Sequence, residues 1–271
     1  MLRFRSRAKF LSSGPFSGAS LYLNMLSGSL DSRVTFSRGT NATLVDSTGR
    51  VTYAPSNVFT RSQEFEDAAW TKTGASVAAN STVAPDGTST ADTLTEDSSS
   101  GFHQVTQVYT PPIAATIIFS VYVKANGRSK FDVAGSWNLG LGTFDLVAGT
   151  ATGVGRSIEA VGNGWFRCTM RDVIPDTVSR AYAIRMYDNA GTANYVGNGT
   201  SGLFVWGAQL EFVTYQTAPG PYVATTSAAY YGPRFDRDPV TLAPLGLLIE
   251  ETRTNLLLRS EEFNSVTWTK V

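Results

Sequence analysis

The chain has 271 residues, a formal net charge of zero and only 16% charged residues. That balance gives no electrostatic ground for a nucleic-acid or anionic-membrane partner. The low charge and frequent turn signals argue against long surface helices, and the single cysteine, Cys168, excludes an intramolecular disulfide.

Residues 1–56 read as an irregular N-terminal leader. Arg3, Arg5, Arg7 and Lys9 precede the first acid, Asp31. This basic start is either a docking peptide for an acidic surface or a solvated terminus. SLYLNML (20–26) and RVTFS (33–37) are candidates for short strands or a helical turn, whereas SGSLDS and DSTGR are turns. No apolar run approaches the roughly 20 residues of a membrane span, and FLSSGPFSGASLYLNML is too broken by Gly and Ser for a secretory segment. A soluble protein not exported by the secretory route is expected.

Residues 57–226 read as one all-β domain. Eight strand candidates follow one another, at 101–110, 115–125, 130–137, 142–150, 155–162, 164–173, 179–188 and 202–212, before any near 75–95 are counted. Asn126-Gly127, Gly162-Asn163-Gly164 and Asn198-Gly199 supply turns that tolerate positive φ. Eight antiparallel strands in two sheets is the jelly-roll count. Residues 227–254, with three prolines and a short GLLIEE run, read as a structured linker.

The last stretch repeats an earlier one. NVFTRSQEFEDAAWTKT (57–73) and NLLLRSEEFNSVTWTKV (255–271) are identical at eight of seventeen positions, without a gap, at a spacing of 198 residues. That spacing is too long for a solenoid and suits one module followed by the start of another. Residues 255–271 are therefore expected to open a second repeat module.

RVTFSRGTNATLVDSTGRV, SVYVKA, GNGWFRC, FVWGAQLE and PRFDRDPVTLAPLGLLIEETRTNLLLRSEEF together resemble a family of bacteriophage fibre, spike and tail structural proteins. In that family a leader and a linker of these types flank a jelly-roll module that looks like a carbohydrate-binding module. Here the linker string follows the module instead of preceding it. The resemblance implies a virion location, docking on tail, portal or capsid proteins through Arg3, Arg5, Arg7 and Lys9, and possible contact with a host-surface glycan. It also implies a homo-oligomer, with a trimer favoured, which would bury Leu21, Leu23, Met25 and Leu26.

The residues themselves point to binding rather than catalysis. His103 is the sole histidine, and no nucleophile motif accompanies it. One His and one Cys make a metal site built on those residues unexpected, while Asp172, Asp176 and Asp188 in or beside loops leave calcium open without an EF-hand spacing. No carboxylates form a signature pair for glycoside hydrolysis, so part of a polysaccharide depolymerase is the lesser alternative, and no cofactor is implied. Sugar rings stack on aromatics and need polar groups at the rim. Trp137 beside a glycine-rich turn, Tyr187 and Asp188 at a strand end, Arg185 two residues earlier on the same face, and His103 and Gln104 with Phe102 at a loop–strand junction are the candidate glycan contacts. Trp70, Trp165 and Trp206 are expected to pack in the interior, and Cys168 to be a small buried hydrophobe.

Overall fold

Alternation of β-branched and aromatic residues shapes the scaffold, because such side chains pack well on a pleated surface. In ATIIFSVYVKAN (115–126), Ile117, Phe119, Val121 and Val123 fall on one side of the strand and are fully buried. The computed structural model describes residues 25–135 and 142–249. Trp137, the basic residues Arg3, Arg5, Arg7 and Lys9, and the second repeat copy lie outside the described residues.

The leader contributes β1 (Thr43–Val45), β2 (Val51–Tyr53) and β3 (Ser56–Asn57). The module runs through β4 (Thr71–Thr73), β5 (Ala75–Thr82), β6 (Ala91–Glu96), β7 (Ser100–Gly101), β8 (His103–Tyr109), β9 (Ala115–Asn126) and β10 (Lys130–Gly135). It continues through β11 (Thr143–Asp145), β12 (Thr150–Thr152), β13 (Arg156–Gly162), β14 (Trp165–Ile174), β15 (Arg180–Tyr187), β16 (Tyr195–Val196) and β17 (Gly202–Val213). β18 (Tyr230–Tyr231), β19 (Phe235–Arg237) and β20 (Pro244–Leu247) follow in the linker.

Two six-stranded antiparallel sheets result, in the orders β12-β11-β10-β15-β8-β4 and β13-β14-β9-β17-β6-β5. The chain passes from one sheet to the other at β4–β5, β6–β8, β8–β9, β9–β10, β12–β13, β14–β15 and β15–β17, so the protein is an all-β jelly-roll sandwich. The inner faces close on one core. Phe119 meets Phe59 edge-on at 5.0 Å, and Phe131 stacks on Phe144 at 5.1 Å. Truncating Phe119 to alanine would cost about 3–5 kcal/mol in lost burial and cavity. Cys168 is buried among these residues, and burial raises its thiol pKa.

Each of the eight strand runs read from the sequence contains a strand. The stretch 142–150 is an exception in form, because it turns back on itself as β11 and β12. Asp145 causes the turn, its Oδ1 accepting from the backbone N–H groups of Val147 and Ala148 at 3.0 Å each. The β13–β14 turn places Gly162, Asn163 and Gly164 all at positive φ (95°, 52° and 78°), as its composition requires. The leader is less irregular than expected. Asp46 holds a β1–β2 hairpin by accepting from Thr48 N at 2.8 Å and Arg50 N at 3.1 Å, while residues 34–37 form no strand. Leader and linker touch each other: β3 pairs with β18, and Val45 N–H donates to Asp236 Oδ1 at 2.7 Å.

Residues 57–73 thread this sandwich, and the positions shared with 255–271 make the contacts. Asn57 is wholly buried. Its Nδ2 donates to Ala208 O at 3.0 Å and Val223 O at 2.9 Å, and its Oδ1 accepts from Phe59 N and Leu210 N at 3.2 Å each. Arg61 pairs with Glu64 at 2.6 Å and Asp67 at 3.3 Å. Ser62 Oγ accepts from Thr225 N at 2.8 Å. Phe65 and Trp70 enter the core, with Trp70 Nε1 donating to Arg61 O at 2.9 Å. Lys72 Nζ ties down Glu66 O at 2.6 Å and Asp67 O at 2.7 Å.

Candidate functional site

The outward face of the first sheet is fixed by strand periodicity. Val105, Ile184 and Val133 point into the core, so their neighbours point out. Cross-strand register then sets one polar row across four strands: Thr73 opposite Gln104, Gln104 opposite Arg185, and Arg185 opposite Asp132. Thr73 is exposed, Gln104 is half-buried, and Arg185 and Asp132 are buried.

Arg185 sits at the centre of the row. Its Nε donates to Gln104 Oε1 at 2.7 Å. Its guanidinium carbon lies 3.9 Å from the centre of the Phe102 ring, a cation–π contact. Phe102 is 41% exposed, and Val108 on the same face is 62% exposed. Burial pulls the Arg185 pKa below its ordinary value, with Tyr187 and Asp132 opposing the shift. Asp132 is engaged elsewhere. Arg156, at the start of β13, grips it with Nε to Oδ1 at 2.8 Å and Nη2 to Oδ2 at 3.0 Å. Such two-point charged pairs fix geometry strongly.

The structure thus brings together Gln104 and Arg185, among the residues singled out in the sequence, and separates the others. Tyr187 shares the face of Arg185 but is only 3% exposed; its hydroxyl donates to Gly142 O at 3.4 Å, and burial pushes its pKa up to about 12. It offers no open ring to a sugar. Asp188 holds a turn, accepting from Thr192 N at 2.6 Å. His103 points to the opposite side and is fully buried. Its Nδ1 lies 2.5 Å from Gly74 O and its Nε2 3.3 Å from Tyr195 O. It acts as a positioning residue, anchoring the start of β8 between Phe102 and Gln104. Trp137 and the docking residues Arg3, Arg5, Arg7 and Lys9 lie outside the described residues.

Gly74 keeps this junction tight. It has φ +58°, and a Cβ there would meet Phe102 O at 2.4 Å. Phe102 was read with His103 and Gln104 as an aromatic at a loop–strand junction, and it joins Gln104 and Arg185 here. Two members of the site, Asp132 and Arg156, were not singled out as contacts in the sequence and carried no signal, because their pairing joins two sheets.

Trp165 and Trp206 are buried, but not in the central core. They form a second cluster with Ala84 and Ala91 on the outer face of the second sheet, against Tyr122, Phe204 and Tyr222. Trp165 Nε1 donates to Val83 O at 3.1 Å and Trp206 Nε1 to Thr90 Oγ1 at 3.0 Å, so the loop after β5 covers these rings. Among the described residues, no three His, Cys, Asp or Glu side chains gather as a metal site, and no helix is long and apolar enough to cross a membrane.

No protein-family model matches the chain, and no curated protein is similar to it in sequence. Solved structures give low-level likenesses. The enzymatically active domain of tailspike protein 4 of bacteriophage CBA120 is similar at 14% identity and TM-score 0.35, over 58% of this chain and 21% of that one. The chain therefore spans about a fifth of that tailspike structure. The carbohydrate-binding module TmCBM61, solved with β-1,4-galactotriose, is similar at 13% identity and TM-score 0.36, over 57% of this chain and 98% of that one. The α-L-arabinofuranosidase MgGH51, solved with arabinose, is similar at 16% identity and TM-score 0.37, over 68% of this chain and 28% of that one. At these values the likenesses say nothing of this chain's ligand.

Proposed function

We propose that this chain is a structural component of a phage virion, a fibre or spike protein whose jelly roll contacts a host-surface glycan. The observation that carries the glycan reading is the exposed Phe102 ring, set beside Gln104 and Arg185 on a rigid sheet. An apolar ring flanked by fixed polar groups suits the two-faced chemistry of a sugar. Sites on strands hold such groups more firmly than sites on loops. The contact surface is small, so binding is weak for one module and gains strength from repetition along an oligomer.

Binding without catalysis is the better reading of this face. The carboxylate of the row, Asp132, is buried and held by Arg156 at two points, and glycoside hydrolysis of the usual kind needs two carboxyl groups facing the bond. The virion reading is supported by the leader and linker strings and by their mutual packing through β3–β18 and Asp236. In this reading Arg3, Arg5, Arg7 and Lys9 dock on tail, portal or capsid protein, the chain is a trimer, and residues 255–271 open a second module after 227–254.

Two experiments test the two halves. Immunogold labelling of purified particles with an antibody to the 57–226 module is expected to decorate an appendage, and unlabelled particles would overturn the structural role. Phe102→Ala is expected to weaken retention on host polysaccharide at least about tenfold, the scale of losing one stacked ring. Unchanged retention would remove this face from the account.

A further inference from the structure

We infer that the glycan taken by the first sheet's outer face is acidic, its carboxylate received end-on by the Arg185 guanidinium; this rests on the glycan reading of that face. Arg185 is 92% buried, with 8% of its surface exposed. Among the described residues no carboxylate lies within ion-pair distance of it. The nearest acid in its row, Asp132, is already paired with Arg156. With Asp132 gripped by Arg156, Arg185 has no carboxylate among the described residues to itself.

A buried charge without an opposite partner is costly, and an anionic ligand seated against it would offset that cost. The donors of Arg185 are also arranged for a particular shape. Nε is occupied by Gln104, and the ring of Phe102 covers one face of the plane. The end-on pair, Nη1 and Nη2, makes no hydrogen bond among the described residues. The residue keeps 8% of its surface open. Two parallel N–H donors in a fixed plane match the two oxygens of a carboxylate. A uronic-acid carboxylate presented there leaves the sugar ring beside Phe102 and its hydroxyls near Gln104 and Thr73.

The test uses the full chain and a panel of uronate-containing polysaccharides, each paired with its carboxyl-reduced, neutral form, plus sulfated polysaccharides that lack uronate. The expected result is binding of at least one uronate polymer, at least about tenfold tighter than its reduced form and weakening as salt is raised. Arg185→Gln should erase that preference while leaving residual affinity for the neutral form. Arg185→Lys, which keeps the charge but loses the fork, should restore only part of it. Unchanged thermal unfolding of both variants separates recognition from folding. Equal binding of acidic and reduced forms overturns the acidic assignment and leaves the glycan reading intact. Preference for sulfated polymers over uronates overturns the carboxylate assignment. No binding to any member of the panel overturns the assignment together with the reading beneath it.

Discussion

Asn57 is the side chain on which the repeated string turns, and Asn57→Ala isolates its contribution. The amide makes four hydrogen bonds from a fully buried position, two donated by Nδ2 and two accepted by Oδ1. A buried amide that keeps all its partners adds roughly 0.5–1.5 kcal/mol per bond, and each backbone group stranded by its loss costs about 1–3 kcal/mol. Leu210 and Phe59 N–H and Ala208 and Val223 C=O cannot all find water inside the sandwich. A total of about 3–6 kcal/mol follows, a large share of the roughly 5–15 kcal/mol by which domains are stable. The assay is equilibrium urea unfolding of wild type and variant by tryptophan fluorescence, with the denaturant slope compared. The midpoint should fall with little change in slope. Asn57→Asp should be as damaging at neutral pH, because it removes both donors and buries a charge facing two carbonyl oxygens. A loss below about 1 kcal/mol for Asn57→Ala would refute the reasoning that this residue locks the string between β17 and the segment after it.

Three further outcomes follow from buried charge and tight turns. Glu96→Gln should destabilise by about 3–5 kcal/mol in thermal unfolding, because it strands Arg128, now paired at 2.6 Å and only 13% exposed. Burial pushes the Glu96 carboxyl up, but Arg128, Tyr195 and the Asn198 N–H outweigh it and hold the pKa below its ordinary value. That contribution is present at neutral pH and is lost as pH falls through the lowered pKa. Asp92 has the opposite sign: burial pushes its carboxyl from an ordinary 3.8 up to about 7, against N–H groups of Asn80 and Phe65. Its contribution is full below about 4 and is lost as pH rises through about 7, so the wild-type unfolding temperature should drop between pH 5 and 8, and Asp92→Asn should flatten that drop. Gly74→Ala should cost more than about 1 kcal/mol from positive φ alone and should also weaken glycan binding, because the new Cβ meets the Phe102 carbonyl oxygen at 2.4 Å.

Much of the sandwich was legible because strand periodicity is a property of single segments. β9, β14 and β17 announce themselves by long apolar runs. β5 does not: ASVAANST is largely exposed at a sheet edge and has no apolar alternation to read. β11 and β12 merged into one run because the turn between them depends on Asp145 bonding its own backbone. The site was legible in part. That Arg185 and Tyr187 share a face follows from a period of two, but the register that sets Gln104 opposite Arg185 spans 81 residues and is invisible locally. His103 illustrates the same limit. HQVTQVY offers one valine to each face, and only Tyr109, which packs against the core, tips the segment toward the face of His103 and Gln107. What decides it is backbone from elsewhere: Gly74 O and Tyr195 O for the histidine, and Thr60 N–H and O, both at 2.9 Å, for the glutamine. The eight repeated positions were visible as a pattern, yet their roles emerged only with the groups across β6, β17 and residues 222–226 that receive them.

The account's central claim is that the first sheet's outer face, centred on Phe102, binds glycan. Isothermal titration of the full chain with polysaccharide from the host surface, comparing wild type, Phe102→Ala and Tyr122→Ala on the opposite sheet, tests it most directly. The predicted result is saturable binding by wild type and Tyr122→Ala and a loss of at least about tenfold for Phe102→Ala. Undiminished binding by Phe102→Ala, or loss confined to Tyr122→Ala, would contradict it.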